Sequence, residues 1–221
     1  MDQKLQVLYE DEDVVAIDKP AGVSTHPAPG EKDISLSEVV AKYLDTDIDN
    51  QGMDLVVHRL DKGTSGVILF AKNQGARAAL KKQFADRSIS KTYLTLVSGV
   101  METSTGKIDI PLGRNINSRG RFDPKVEGKP AVTEFNVIKG FLHFTYLAAM
   151  PKTGRTHQIR THFSAIGHPV AGDKRYGYVG NEFPRIFLHA ASITFESPQS
   201  GVKTIKSALP EELSALLTRI N

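Results

Sequence analysis

Cysteine is absent from all 221 residues. That removes disulfides, thiolate nucleophiles and cysteine-based zinc or iron–sulfur sites. No apolar run approaches the ~20 residues needed to span a bilayer as a helix. The amino terminus, MDQKLQVLYEDEDVV, lacks the charged-then-apolar pattern of a secretion signal. These absences predict a cytoplasmic protein with no membrane partner. A long Pro/Gly/Ser linker, an internal repeat and low-complexity tracts are missing too, so residues 1–221 are expected to form a single domain. The length is ample for a hydrophobic core. Apolar residues at 40% and charged residues at 24% are ordinary for a globular chain.

Strong net charge is also lacking. The balance is +3 with a pI of about 9.0, which many enzymes of small molecules match. The distribution is more informative than the total. The stretch from Lys72 to Lys91 carries Arg77, Lys81, Lys82 and Arg87 against only Asp86. The stretch from Lys152 to Arg175 carries Arg155, Arg160 and Lys174 against only Asp173, with His157, His162 and His168 interleaved. The acids gather at Glu10-Asp11-Glu12-Asp13 and from Asp45 to Asp54. Such segregation suits a polyanion, because phosphate contacts supply much of nucleic-acid affinity. Solvated helix faces explain the same pattern equally well.

What is present is organised around LVVHRLDKGTSGVILFAK, residues 55–72. Leu55-Val56-Val57 and Val67-Ile68-Leu69-Phe70 read as buried strands flanking a charged loop. Between them lie His58, Arg59, Asp61, Lys62, Thr64 and Ser65, and a loop held by core strands can place a side chain rigidly. Asp61 is the leading candidate for chemistry. Three plainer readings compete: a turn at Asp61-Lys62-Gly63, a surface ion-pair cluster, and a serine nucleophile at Ser65. For the last, the second glycine of G-x-S-x-G comes one residue early.

Along the chain, Leu5 to Ile17 is strand-like and interrupted by an acidic turn, and Asp18-Lys19-Pro20-Ala21-Gly22 stops it. His26-Pro27-Ala28-Pro29-Gly30 is a rigid loop. Leu36 to Leu44 places Leu36, Val39, Val40 and Tyr43 at helical spacing. A second helix is expected from Gln74 to Asp86, capped by Asn73, with Ala76, Leu80, Gln83 and Phe84 on its inner face. Ser90 to Val97 reads as a strand bearing Tyr93. Gly106 to Gly140 reads as hairpins around a poorly ordered basic loop, Arg114 to Gly128, suited to gripping RNA backbone. Phe141 to Met150 reads as a strand. A helix is expected from near Arg155 to Gly167, with Ile159, Phe163 and Ile166 inward and Arg155, Gln158, Arg160 and His162 on the remaining surface. His157 and His162 are five apart with no carboxylate between them, so they lack the shared face of H-E-x-x-H, and no metal site is expected. Leu188-His189-Ala190-Ala191 reads as buried, and Pro210 opens a last helix whose Leu213, Leu216, Leu217 and Ile220 pack inward. Several strands follow one another without an intervening helix, which predicts an α+β fold with a largely antiparallel or mixed sheet.

Three stretches together resemble the RluA-type family of RNA pseudouridine synthases: HRLDKGTSGVILFAK at 58–72, KTY at 91–93 and TGRTHQIRTHFSAIGHPVAGDKRYG at 153–177. Asp18-Lys19-Pro20-Ala21-Gly22 with His26-Pro27, and Leu188-His189-Ala190, are similar to the family's flanking motifs. The likeness runs from roughly Leu8 to Phe195. It implies the pseudouridine synthase fold and the isomerisation of selected uridines in ribosomal or transfer RNA, without metal or cofactor. By resemblance, Asp61 is the essential aspartate, a nucleophile at C1′ or a base at C2′. Tyr93 stacks on the target uracil and aids proton removal from C5, and Arg160 pairs with the aspartate. Arg59 stands near the flipped nucleotide, and Lys19, His58, Thr64, Arg155, His157, Gln158 and His162 are expected to contact the substrate. Many relatives carry a small S4 RNA-binding domain ahead of the catalytic one. The Lys19-Pro20 motif begins too early to leave room for it, so a stand-alone, monomeric catalytic domain is expected.

The residue types suit that chemistry. An aspartate must be ionised to act at a sugar carbon, and a nearby arginine favours the charged form. A uridine must leave its stack to meet it, and an aromatic face can hold the extruded base. Two other classes stay open: a non-catalytic RNA-binding or chaperoning module, and a hydrolase using Ser65 with His58 or His157.

Overall fold

The computed structural model describes residues 5–27, 30, 33–45, 55–118 and 120–220. These form two compact units, each assembled from two separate stretches of chain. The first comprises residues 1–90 and 190–208, the second 91–189 and 209–221.

In the first unit, β1 (Val7–Glu10), β2 (Val14–Lys19) and β3 (Ser65–Ala71) form an antiparallel meander. The turn between β1 and β2 is made by Asp11, whose carboxylate accepts the backbone N–H groups of Asp13 and Val14 at 2.9 and 2.7 Å. Such side-chain-to-backbone bonding is why Asp favours turns. All seven residues of β3 are buried, as a continuous apolar run requires. The helix α1 (Leu36–Tyr43) begins at Ser35, whose N–H donates to Glu38 at 2.7 Å. It buries Leu36 and Val40, whereas Tyr43, expected inward, is exposed and donates to Glu10. The helix α2 (Gln74–Asp86) starts where expected, with the Asn73 side chain accepting from Ala76 N–H at 2.8 Å. Ala76 and Leu80 pack with Val14, Val67, Leu69, Ile193 and Phe195 in one core cluster. Gln83 on the same face is bonded to the backbone of Glu196 in both directions, at 2.7 and 2.9 Å.

Leu55 to Val57 does not form the strand expected of it. Val56 makes a single antiparallel bridge to Phe70, and Leu55 is buried. Leu55 is itself helical, which leaves only Val56 to pair with β3. Of the acidic stretch 45–54 only Asp45 lies among the described residues, and Ala28 and Pro29 also lie outside them.

The second unit is built on four antiparallel strands in the order β4-β9-β8-β5: β4 (Ser90–Ser98), β5 (Thr105–Asp109), β8 (Val132–Gly140) and β9 (Phe144–Pro151). Side chains alternate across it. Val97, Leu147, Phe135 and Ile108 face a cluster completed by Ile159 and Phe163 of α3 (Gln158–Ala165). Leu96, Phe144 and Tyr146 face another, completed by Leu213, Leu216 and Leu217 of α4 (Glu211–Arg219). The segment expected to be a poorly ordered loop instead contains a two-stranded hairpin of β6 (Leu112–Arg114) and β7 (Phe122–Pro124). The Asp123 carboxylate pairs with Arg121 at 2.8 Å and with Asn115, and these bonds hold the hairpin across its tip.

The two remaining strands are β10 (Leu188–Ser197) and β11 (Gly201–Lys206), an antiparallel pair registered from Ser192↔Lys206 to Ser197↔Gly201. Every pairing just described is antiparallel, and the fold class is α+β as expected. Among the described residues, no helix is long and apolar enough to cross a membrane.

Candidate active site

Asp61 sits in a turn closed by Thr64 N–H donating to its carbonyl at 3.0 Å, immediately before β3. The turn reading of this segment is therefore right about its backbone, and the turn carries the candidate carboxylate. Two clamps hold it within the first unit. Thr25 Oγ1 donates to the carbonyl of Leu60 at 2.9 Å and accepts its N–H at 3.1 Å. Lys19, with no exposed surface, donates its ammonium to the carbonyls of Pro20, Val23 and Lys62 at 3.0, 2.7 and 3.3 Å. Gly22 N–H adds a bond to Lys62 O at 2.7 Å. Lys19 is expected to contact the substrate; its described contacts knit the loop after β2 to the turn of Asp61.

Its neighbours divide. Arg59 is exposed. Burial first, and then the charge of Arg59, push the His26 imidazole below its ordinary value. His58 points inward: its Nε2 accepts Leu69 N–H at 2.9 Å and its ring lies 4.7 Å from that of Phe84. Thr64 is buried, and its hydroxyl has no hydrogen-bond partner among the described residues.

In the second unit, Tyr93 lies half-buried on β4, opposite Ala149 of β9. The helix bearing HQIRTH starts at Gln158, later than expected, because His157 takes a left-handed conformation with φ 56°. A non-glycine residue rarely adopts it. Here ring contacts and a 2.8 Å approach of Nδ1 to the Tyr176 hydroxyl accompany it. Every residue from Gln158 to Phe163 is buried, which overturns the expectation that Gln158, Arg160 and His162 face solvent. Their polar atoms are satisfied inside. Gln158 accepts from Thr153 Oγ1 and Arg155 N and donates to Val132 O and Thr133 Oγ1, all within 2.6–3.0 Å. His162 has Nε2 3.0 Å from the carbonyl of Ile110 and Nδ1 2.9 Å from Thr133 Oγ1. A carbonyl only accepts, so Nε2 carries the proton, and burial pushes the imidazole below its ordinary value. Arg155 donates to Pro130 O at 3.1 Å.

Two residues emerge that the sequence reading passed over. Arg160 donates through Nε and Nη2 to Asp173 at 2.6 and 2.9 Å, and its guanidinium lies 4.9 Å above the Tyr176 ring. Tyr176 in turn accepts Phe122 N–H at 2.9 Å, which ties the β6–β7 hairpin to this group. Asp173 had left a signal, being the only acid in a strongly basic stretch. Asp61 belongs to the first unit, and Tyr93 and Arg160 to the second. No group of three or more His, Asp or Glu able to hold a metal occurs among the described residues.

A family model described as RNA pseudouridylate synthase matches residues 13–165, more than half of the chain. The chain belongs to the RNA pseudouridylate synthase family. A protein of Aquifex aeolicus described as an uncharacterized RNA pseudouridine synthase is 40% identical over 188 residues, covering 83% of this chain and 60% of that one. The ribosomal large subunit pseudouridine synthase D of Pseudomonas aeruginosa is 39% identical over 232 residues, covering 98% of this chain and 72% of its own. The solved structure of human RNA pseudouridylate synthase domain containing 1 superposes with a TM-score of 0.78 at 25% identity, covering 99% of this chain and 95% of that one. The fold is that of pseudouridylate synthase domains, and the matched span takes in the turn of Asp61, Tyr93 and Arg160.

Proposed function

We propose that this chain isomerises selected uridines in structured RNA to pseudouridine, with Asp61 as the essential carboxylate. The observation that carries the reading is an intact aspartate on a turn clamped by Lys19 and Thr25, in a chain of the pseudouridylate synthase family. Tyr93 stacks on the extruded uracil and assists loss of the C5 proton, and Arg160 pairs with Asp61. These roles rest on the family motifs. Arg59, exposed beside the same turn, meets the flipped nucleotide. Large-subunit ribosomal RNA is the first substrate to examine, because relatives of the C and D types carry it in their names; transfer RNA is the second. Residues 1–221 act as one catalytic domain, a cytoplasmic monomer using no metal or cofactor.

The test is pseudouridine mapping of total RNA from cells lacking the gene, complemented with wild type or Asp61→Ala. Sites that vanish and return only with wild type support the reading. An unchanged map leaves RNA binding without modification as the function, and full rescue by Asp61→Ala removes Asp61 from the role of essential carboxylate. In vitro, Asp61→Asn should slow turnover by about 10³-fold or more. RNA affinity should stay within about threefold, since phosphate contacts dominate it.

A further inference from the structure

Lys91 is not used by the reaction as drawn so far. It lies on β4 two residues before Tyr93, and strand alternation puts both side chains on one face. That is the face of Val97, covered by Ile159 and Phe163. The Lys91 ammonium has one long contact, 3.5 Å to the carbonyl of Thr153, and lies against the Gly154 turn. No carboxylate among the described residues pairs with it. An ammonium carries three donors. Burial of this one pushes it down to about 8. A half-buried cation without a counter-charge costs folding free energy, and such groups concentrate where chemistry is done.

We propose that Lys91 is a further catalytic residue, whose ammonium takes up the negative charge that forms on the uracil held against Tyr93 when the glycosidic bond breaks. This rests on the uridine-isomerising reading above. Residues two apart on a strand are about 6.6–6.8 Å apart, a span that a lysine stem covers, so the ammonium reaches the edge of a ring stacked on Tyr93. When N1–C1′ breaks, the bonding pair stays on the ring and spreads over N1, O2 and O4. Asp61 either bonds to C1′ or takes a proton from C2′. When C5 attacks C1′, Asp61 leaves C1′ or returns its proton to C2′. The ring then loses H5 and gains a proton at N1. Lys91 exchanges no proton at any stage; it offsets charge while the base is detached. A desolvated cation suits that task better than a surface lysine, because the interaction strengthens as water is excluded.

The test uses the full chain as wild type, Lys91→Met, Lys91→Arg and Asp61→Ala, on RNA extracted from cells lacking the gene. Single-turnover pseudouridine formation, RNA affinity and thermal midpoint are measured for each. Lys91→Met should slow the reaction by about 10²–10³-fold. RNA affinity should stay within about threefold of wild type. The variant should also melt above wild type, because an uncompensated buried charge has been removed. Lys91→Arg should recover part of the rate. A Lys91→Met rate within about threefold of wild type overturns the assignment. So does affinity falling in step with rate, which marks a phosphate contact, or a slow variant that melts below wild type, which marks a structural role. If Asp61→Ala is dead and Lys91→Met is normal, only the Lys91 assignment falls. If wild type forms no pseudouridine, the isomerase reading fails and takes Lys91 with it.

Discussion

Arg160 and Asp173 meet through two N–H···O bonds while both side chains are buried. A bidentate pair fixes the plane of a guanidinium as well as its position, and Tyr176 lies against one face of that plane. Removing Asp173 takes two charge-assisted bonds from a guanidinium held in a low dielectric. Asp173→Ala should therefore destabilise the fold by about 3–5 kcal/mol in urea unfolding. A loss below about 1 kcal/mol, the range of exposed pairs, would mean that water already compensates Arg160. Thr64 presents the opposite case. Its buried hydroxyl has no described partner, so replacing it with a methyl removes a desolvated group and no hydrogen bond. Thr64→Val should unfold within about 1 kcal/mol of wild type, or above it; a larger loss would expose a hydrogen bond absent from this structure.

At the scale of elements, the helices were legible where a cap marked them. Asn73 opens α2 and Pro210 precedes α4 as their chemistry predicts. The start of α3 was not legible, because nothing local in His157 announces a left-handed residue; its ring contacts with Phe122 and Tyr176 are non-local. Nor was the burial of Gln158 and His162. Hydropathy assigns polar side chains outward, and only the tertiary partners Thr133, Val132 and Ile110 reverse that. The HRLD and HQIR motifs named the candidate site residues, but their spacing could not say that Lys19 bonds to backbone carbonyls. Gly66, by contrast, reads as an ordinary motif glycine and is a packing requirement. It has φ +111°, and an added Cβ would collide with the Ala190 carbonyl of β10. Gly66→Ala should cost about 3 kcal/mol or more, from strain and displacement of that strand. A variant that melts normally would show that β3 and β10 can part at little cost.

For the whole molecule, acid stability should depend on Asp11. Burial raises its pKa, but hydrogen bonds from Ser197, Tyr9, Val14 and Ser200 outweigh that and hold the carboxyl far below the usual range. Because the folded value is depressed, its stabilisation is present above the unfolded value of about 4 and is lost as pH falls through the folded one. Asp11→Asn should therefore be less stable than wild type at neutral pH, and the gap should narrow steadily below about pH 4. Urea midpoints measured from neutral to strongly acid pH check this; a gap constant across the range would show that Asp11 is not the titrating contact.

The two units are interleaved in sequence, and that has a consequence for biosynthesis. Translation runs from the amino-terminal side, and the first unit lacks its β10–β11 hairpin until Lys206 has emerged. The second unit lacks α4, which completes one of its cores, until Arg219 has emerged. For most of translation the nascent polypeptide therefore exposes β3 and the Leu96–Phe187 surface without their last partners, in the state most exposed to misassociation. Each unit should therefore complete its core only once residues 190–219 are available to it.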